Sequence, residues 1–414
     1  MHPVPSPRDT SQSALRLALV VAIAHGVNDA YASFVPPLLP RLMGELGLSI
    51  ASAATLAVAF SVAAALPQPF FGYLSDRYGR RVFAVLGPIV SAIFVSTIGF
   101  APTFAILILF LMLGGIGSAA FHPPGASYAV RIDAGKGGGA RYSLFAFGGS
   151  IGFAVGPLAA VWLAQSRGLE GMWIAMLPAI ALAPLVYWIL PSGGSERRDT
   201  RRPPPASLPV VLAALRGPLG LVFGISAIMA FVQRAFLTME PIIVAQAGGS
   251  ETLGALALTV YLGAQSFGVV AGGLLADRVD RPKLLAHLCF WAVPTHVLAV
   301  LVGPEGAIGF GAVAAAGFLG MATLPPIVVI AQEMLPTGTG VGSGIVMGLA
   351  WATGAMFVLG TGAAADVIGA SLATLASVPV ALLAVGLALH PTLRSALAEV
   401  ETNAARRAPV MAAD

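Results

Sequence analysis

From residue 15 to residue 390 the chain is almost continuously apolar, in runs of about twenty residues separated by short polar breaks. A helix of roughly 20 apolar residues crosses a hydrocarbon core about 30 Å thick, so each run is long enough to span a bilayer. Twelve such segments are read, over about 15–40, 51–74, 82–101, 104–128, 142–165, 171–190, 218–245, 253–276, 283–303, 306–333, 341–364 and 370–390. Lipid offers the backbone no hydrogen bonds, so each segment must satisfy its own and is expected to be helical. A membrane barrel would instead show segments of about ten residues alternating in polarity, and no such alternation is present. Composition agrees: 10% of residues are charged, against about 25% in ordinary soluble domains. The 49 glycines and 31 prolines do not overturn this reading, because neighbouring helices re-satisfy backbone groups that such residues free.

The opening MHPVPSPRDTSQSALRLALVV runs on through HGVNDAYASF with no small-residue cleavage site, and is expected to be the first span itself rather than a signal peptide. A single cysteine, Cys289, excludes an intramolecular disulfide. With the N-terminus in the cytoplasm, 19 of the 22 Lys and Arg residues fall on cytoplasmic connections and tails, Arg41 and Arg167 fall outside, and Arg234 lies within a span. That asymmetry is the positive-inside pattern and places both termini in the cytoplasm. The net charge of +4 is therefore topological and implies no nucleic-acid partner.

The chain repeats. Gly72, Leu74, Asp76 and Arg77 recur as Gly273, Leu275, Asp277 and Arg278; Pro123 and Pro124 recur as Pro325 and Pro326; Ser143 and Gly148 recur as Ser343 and Gly348. Three matches in register imply two six-helix halves. The expected organisation is a first half over 1–190, a cytoplasmic linker over 191–216, charged and Pro-rich, and a second half over 217–414 with a cytoplasmic tail.

Polar side chains inside the spans are the functional candidates. An ionisable group there costs roughly 2.5–3.5 kcal/mol even on the lenient insertion scale, so it must face a cavity or a partner. His25 and Asp29, four residues apart, project from one helix face, with Asn28 and Ser33 extending the stripe. An imidazole that titrates near neutrality beside a carboxylate suits a proton carrier; a structural hydrogen-bond cluster between helices is the alternative. His122 precedes Pro123 and Pro124 and is read either as a substrate or proton ligand or as a donor to freed carbonyls. Arg234 and Glu240 lie in the seventh span, six residues apart and hence on different faces. Arg234 is read as an anion-binding group or as one partner of a buried ion pair, with Asp29 and Glu240 as possible partners.

GYLSDRYGRR at 72–81 resembles the signature loop of the major facilitator superfamily, and its second copy, GLLADRVDRPK at 273–283, departs from it at Asp280 and Pro282. HGVNDAYASFVPPLLP, GSAAFHPPGAS, SLFAFGGSIGFAVGP and AQEMLPTGTGVGSGIVMGLAW resemble the fosmidomycin-resistance group of efflux proteins within that superfamily. Pro124 stands where that group usually has an acid. The resemblance implies an all-α membrane protein of twelve helices in two pseudo-symmetric halves, monomeric, in the bacterial inner membrane. It implies a central cavity lined by the first helix of each half, with His25, Asn28, Asp29, His122, Arg234 and Glu240 as substrate ligands and Asp29 and His25 as the proton-coupling pair. It also implies a cytoplasmic gate made by Gly72, Asp76, Arg77, Gly79, Arg80 and Arg81 with Asp277 and Arg278; the bland alternative is a topology anchor. Leu111 stands where many antiporters of the superfamily carry a proton-linked arginine, and GFAVGP at 152–157 resembles the antiporter motif of the fifth helix, although close helix packing explains its small residues as well. Glu333 and Asp366, near helix ends, are read as interfacial.

No phosphate-binding G-x-x-x-x-G-K-[ST] loop is present, so the chain does not cradle ATP itself. The expected function is export of a small molecule, a drug or an organic anion, by proton antiport, with uptake by proton symport as the alternative. Its partners are then a small-molecule substrate, protons and the lipid bilayer, with no cofactor, metal or catalytic residue. A remote alternative is an intramembrane hydrolase, because GGSIG at 148–152 matches G-x-S-x-G around Ser150.

Overall fold

The computed structural model describes residues 7–130, 138–191, 208–335 and 339–407, without the side chains at a few helix ends. Most of the expected linker, and Arg131 and Lys136, lie outside the described residues. Among the described residues there are helices and no strands. Eleven helical segments are long and apolar enough to cross a membrane, from Leu15–Leu46 to Ala370–Ala388. The remaining expected span is the helix Arg80–Ser96, 17 residues long, which ends in a 3-10 turn at Ile98–Phe100. All twelve expected segments are thus helical. Ser150 lies within the unbroken helix Gly138–Arg167, so the strand-to-helix elbow that a G-x-S-x-G nucleophile requires is missing.

The chain divides by its contacts into two compact units, one of Met1–Arg198 with Glu240–Gly263 and one of Asp199–Met239 with Ala264–Asp414. In the first unit the first span packs on the fifth, and glycines explain how closely. A Cβ on Gly148, Gly152 or Gly156 would run into the backbone of Ala22, Gly26 or Ala30. Since lipid supplies no hydrophobic drive for helix association, such close backbone approach and its dispersion contacts hold the pair. This is the packing reading of the GFAVGP stretch.

In the second unit the eleventh span meets the seventh in the same manner, Gly354 lying against the backbone of Ala227 and Phe231. The eighth meets the tenth through Gly268 and Gly272 against the carbonyls of Phe318 and Ala322. Within the eleventh span, Gly344–Leu349 winds as a π-helix, a form frequent at functional sites, and the Ser226 hydroxyl donates to its Val346 carbonyl.

Both copies of the signature loop keep one repeat contact: Gly72 faces Pro123 and Gly273 faces Pro325. They differ at the turn. Gly79 joins the helices Gln68–Tyr78 and Arg80–Ser96 at φ 107, a conformation that glycine adopts without steric cost. In the second copy Asp280 holds the turn instead, capping Arg281–Val302 by accepting from the Lys283 amide at 2.8 Å.

Candidate functional site

The first span carries His25 and Asn28, both buried, and the partly exposed Asp29. Gly149 of the fifth span makes room for the imidazole: a Cβ there would lie only 2.4 Å from the His25 ring. The same ring stacks on Phe145 with centroids 3.9 Å apart and planes at 15°. His25 Nδ1 lies 2.8 Å from the Phe145 carbonyl, which can only accept, so Nδ1 carries hydrogen and Nε2 faces Asp29 Oδ2 at 3.1 Å.

His122, 93 positions later than Asp29, completes the group. Its Nδ1 lies 2.8 Å from the Ser118 carbonyl, which is again only an acceptor, and its Nε2 approaches Asp29 Oδ1 at 3.3 Å. The carbonyls that Pro123 and Pro124 deprive of donors are those of Ala119 and Ala120, so His122 does not serve them. Asn28 Nδ2 donates to Asp29 Oδ1 at 3.0 Å and to Ser118 Oγ at 3.1 Å. Of the sequence candidates, His25, Asn28, Asp29 and His122 are therefore brought into one cluster. Ser33 is not part of it; its hydroxyl donates to the Ala30 carbonyl.

The tautomers set the chemistry. With Nδ1–H fixed on both rings, each neutral ring would present a lone pair to the carboxylate. Each N···O contact becomes attractive only when a proton lies in it. The cluster can hold two, as an imidazolium–carboxylate–imidazolium group, and each proton lost leaves two acceptors facing one another. The three donor atoms lie within 4.8 Å of one another, close enough to share protons or to enclose a small cation.

In the second unit the polar residues are of another kind. Gln265 Nε2 donates to Gln233 Oε1 at 2.8 Å, and Gln233 Nε2 donates to the carbonyls of Met229 at 3.2 Å and Gly320 at 3.3 Å. The buried His296 bonds the Ala292 carbonyl at 2.7 Å and meets Phe236 edge-on. The sequence reading passed over Gln233, Gln265 and His296; polar side chains within apolar runs are the signal that would have found them. The Arg234 guanidinium lies 5.4 Å from the Trp351 ring centroid, a cation–π contact. Glu240, which falls in the first unit, is fully buried, and among the described residues neither of its oxygens has a hydrogen-bond partner.

At the signature loop Asp76 accepts from Arg80 Nε at 2.8 Å and is also bonded by Nη2. Arg77 donates to the Tyr73 hydroxyl, and Arg81 lies 3.6 Å over the Tyr187 ring. In the second copy Arg281 pairs with Glu333, which gives that helix-end acid a specific partner. A third ionic contact was not foreseen. Arg41, at the far end of the first span, donates in a fork to both oxygens of Glu251 at 3.0 and 2.7 Å, while Gln165 reaches Glu251 and Thr252.

The sequence profile of the Major Facilitator Superfamily matches residues 21–358. The uncharacterised transporter YfnC of Bacillus subtilis (strain 168) is 25% identical over 85% of this chain and 87% of its own length. The fosmidomycin resistance protein of Escherichia coli (strain K12) is 25% identical over 84% of this chain and 85% of its own. Among solved structures, an inward-facing bacterial homologue of the human lysosomal transporter Spinster superposes with a TM-score of 0.74 at 16% identity, covering 95% of this chain and 98% of that one. The xylose transporter XylE from E. coli, in an inward open conformation, gives 0.68 at 14% identity, covering 91% and 95%.

Proposed function

The chain belongs to the Major Facilitator Superfamily, a multi-pass membrane transporter and not an enzyme, and from that premise we propose that it exports a small organic molecule in exchange for protons. The observation that carries the reading is the His25–Asp29–His122 cluster: two rings, each tied at Nδ1 to a carbonyl, turn Nε2 onto one carboxylate. Loading and unloading protons there changes the charge of the cluster by whole units in a setting of low dielectric. The state of the cluster is thereby coupled to which face of the membrane the protein opens. The excess of basic residues on one side supports an inner-membrane orientation with cytoplasmic termini.

Arg234 is the proposed anion-binding group: its planar fork of donors suits a carboxylate or phosphonate, and its guanidinium lies 5.4 Å from the Trp351 ring centroid. The names of two relatives, the fosmidomycin resistance protein and the chloramphenicol resistance protein of Streptomyces lividans, support a drug or organic anion as substrate. The Asp76–Arg80 pair and the loop around it form the proposed cytoplasmic gate. The Arg41–Glu251 fork is its proposed counterpart at the outer ends.

Transport by the purified protein in proteoliposomes tests this, with a proton gradient of either sign and a panel of anionic and neutral antibiotics. Exchange predicts that substrate accumulates only against an opposing proton flux. Accumulation with the proton flux would make the protein a symporter, and indifference to the gradient would remove protons from the cycle.

A further inference from the structure

Asp29 and Glu240 are both acids within membrane spans, yet their surroundings are opposite. Asp29 has two imidazoles and an amide turned onto it. Glu240 meets no donor among the described residues: its relative exposure is 0%, and both carboxylate oxygens are without a hydrogen-bond partner there. Apolar neighbours in sequence, Phe236, Leu237, Met239, Ile242 and Ile243, are buried with it. On its own helix, Pro218–Gln246, the one cation is Arg234, which does not share its face and rests on Trp351. The eighth span packs at this level through Gly254 against Pro241, a contact without charge. That span's acid, Glu251, is taken up by Arg41. An ionised carboxylate sealed from water with neither donor nor cation is strongly disfavoured, and such a group resolves the conflict by keeping its proton.

We propose that Glu240 is a second proton-binding site of the transport cycle, held as the neutral carboxylic acid in the conformation described here and emptied when its end of the seventh span opens to water. The step is simple in its balance: a proton from hydronium forms the O–H bond, and release to water breaks it with no change in oxidation state. This inference rests on the exchange of substrate for protons and adds to it a site in the second half of the chain.

Difference infrared spectroscopy on the full-length protein in lipid vesicles tests the protonation without substrate. Wild type at neutral pH should show a carboxylic acid C=O band that deuterium oxide lowers, that Glu240→Asp moves and that Glu240→Gln removes, while Asp29→Asn leaves it in place. Absence of the band in wild type, or its persistence unchanged in Glu240→Asp, overturns the proposal whether or not Glu240→Gln folds. Flux measurements on Glu240→Asp and, where it folds, Glu240→Gln then decide the role. The number of protons moved per substrate should fall by one in Glu240→Gln, and the pH dependence of exchange should shift in Glu240→Asp. A band assigned to Glu240 with neither change would mark a purely structural acid and sink the proposal. If the band behaves as expected while Asp29→Asn keeps full gradient-driven transport, the His25–Asp29–His122 reading fails and the Glu240 site stands.

Discussion

The two halves of the chain anchor their first helix at repeat-related positions with different chemistry. In the first half Asn28 donates to Ser118; in the second Gln233 donates to the carbonyl of Gly320. Residues 118 and 320 are separated by the same offset that relates Pro123 to Pro325. The anchoring is shared, whereas the titrating groups are not. One turn along, the first half has His122 reaching Asp29, and the second has Leu324 at the equivalent position. The second half ties its helices with neutral amides, which hold one arrangement regardless of pH, and the first half with a group whose bonds depend on protons. At these positions the proposed roles therefore divide into a neutral scaffold in the second half and a proton switch in the first, with Glu240 lying elsewhere on its helix.

The sharpest way to break this contrast is Asp29→Asn. The amide keeps the size of the side chain but removes the charge that both imidazoles face, so gradient-driven accumulation should be lost entirely while substrate still binds. Flux with and without a pH gradient, beside equilibrium binding, reads both. Gly149→Ala attacks the same cluster through packing. The added methyl enters the space of the His25 ring and should destabilise by about 1–3 kcal/mol, visible as a lowered unfolding temperature together with impaired coupling.

In the second half, Gln233→Leu leaves Gln265 without its acceptor and should cost about 1–3 kcal/mol. The protons moved per substrate should stay unchanged, and a change there would end the division into scaffold and switch. Arg234→Lys keeps the charge and loses the fork, so the affinity for anionic substrates should fall about tenfold, or ~1.4 kcal/mol, with neutral ones little affected. Equal losses for both would make Arg234 a structural cation. The smallest effect is expected at the second loop copy, where Asp280→Ala removes a helix cap worth about 1 kcal/mol and should alter thermal stability without altering transport.

Much of this was legible in the residues. Span number and the presence of two halves depend on apolar length and repetition, which are local properties. Even the third segment, short as a helix at 17 residues, is marked by its composition. His25 and Asp29 could be paired because helical periodicity relates residues four apart. The relation between Asp29 and His122, or between Gln233 and Gln265, is of another order. It depends on how far each helix is rotated about its axis and how closely two helices approach, and neither quantity is written in one helix alone.

The sequence by itself determined a membrane protein of twelve helices, its repeat and the few side chains costly enough in lipid to need a purpose. Only the tertiary structure decided what those side chains meet. It brought a second imidazole to Asp29, left Glu240 without a donor among the described residues, laid Arg234 on Trp351 and joined Arg41 to Glu251. The physical reason is that the cost of placing a charge in lipid is fixed by residue type, whereas its compensation comes from groups on other helices. Glycines such as Gly148, Gly149 and Gly152 set the approach of those helices, and their effect appears only when the opposing backbone is in place.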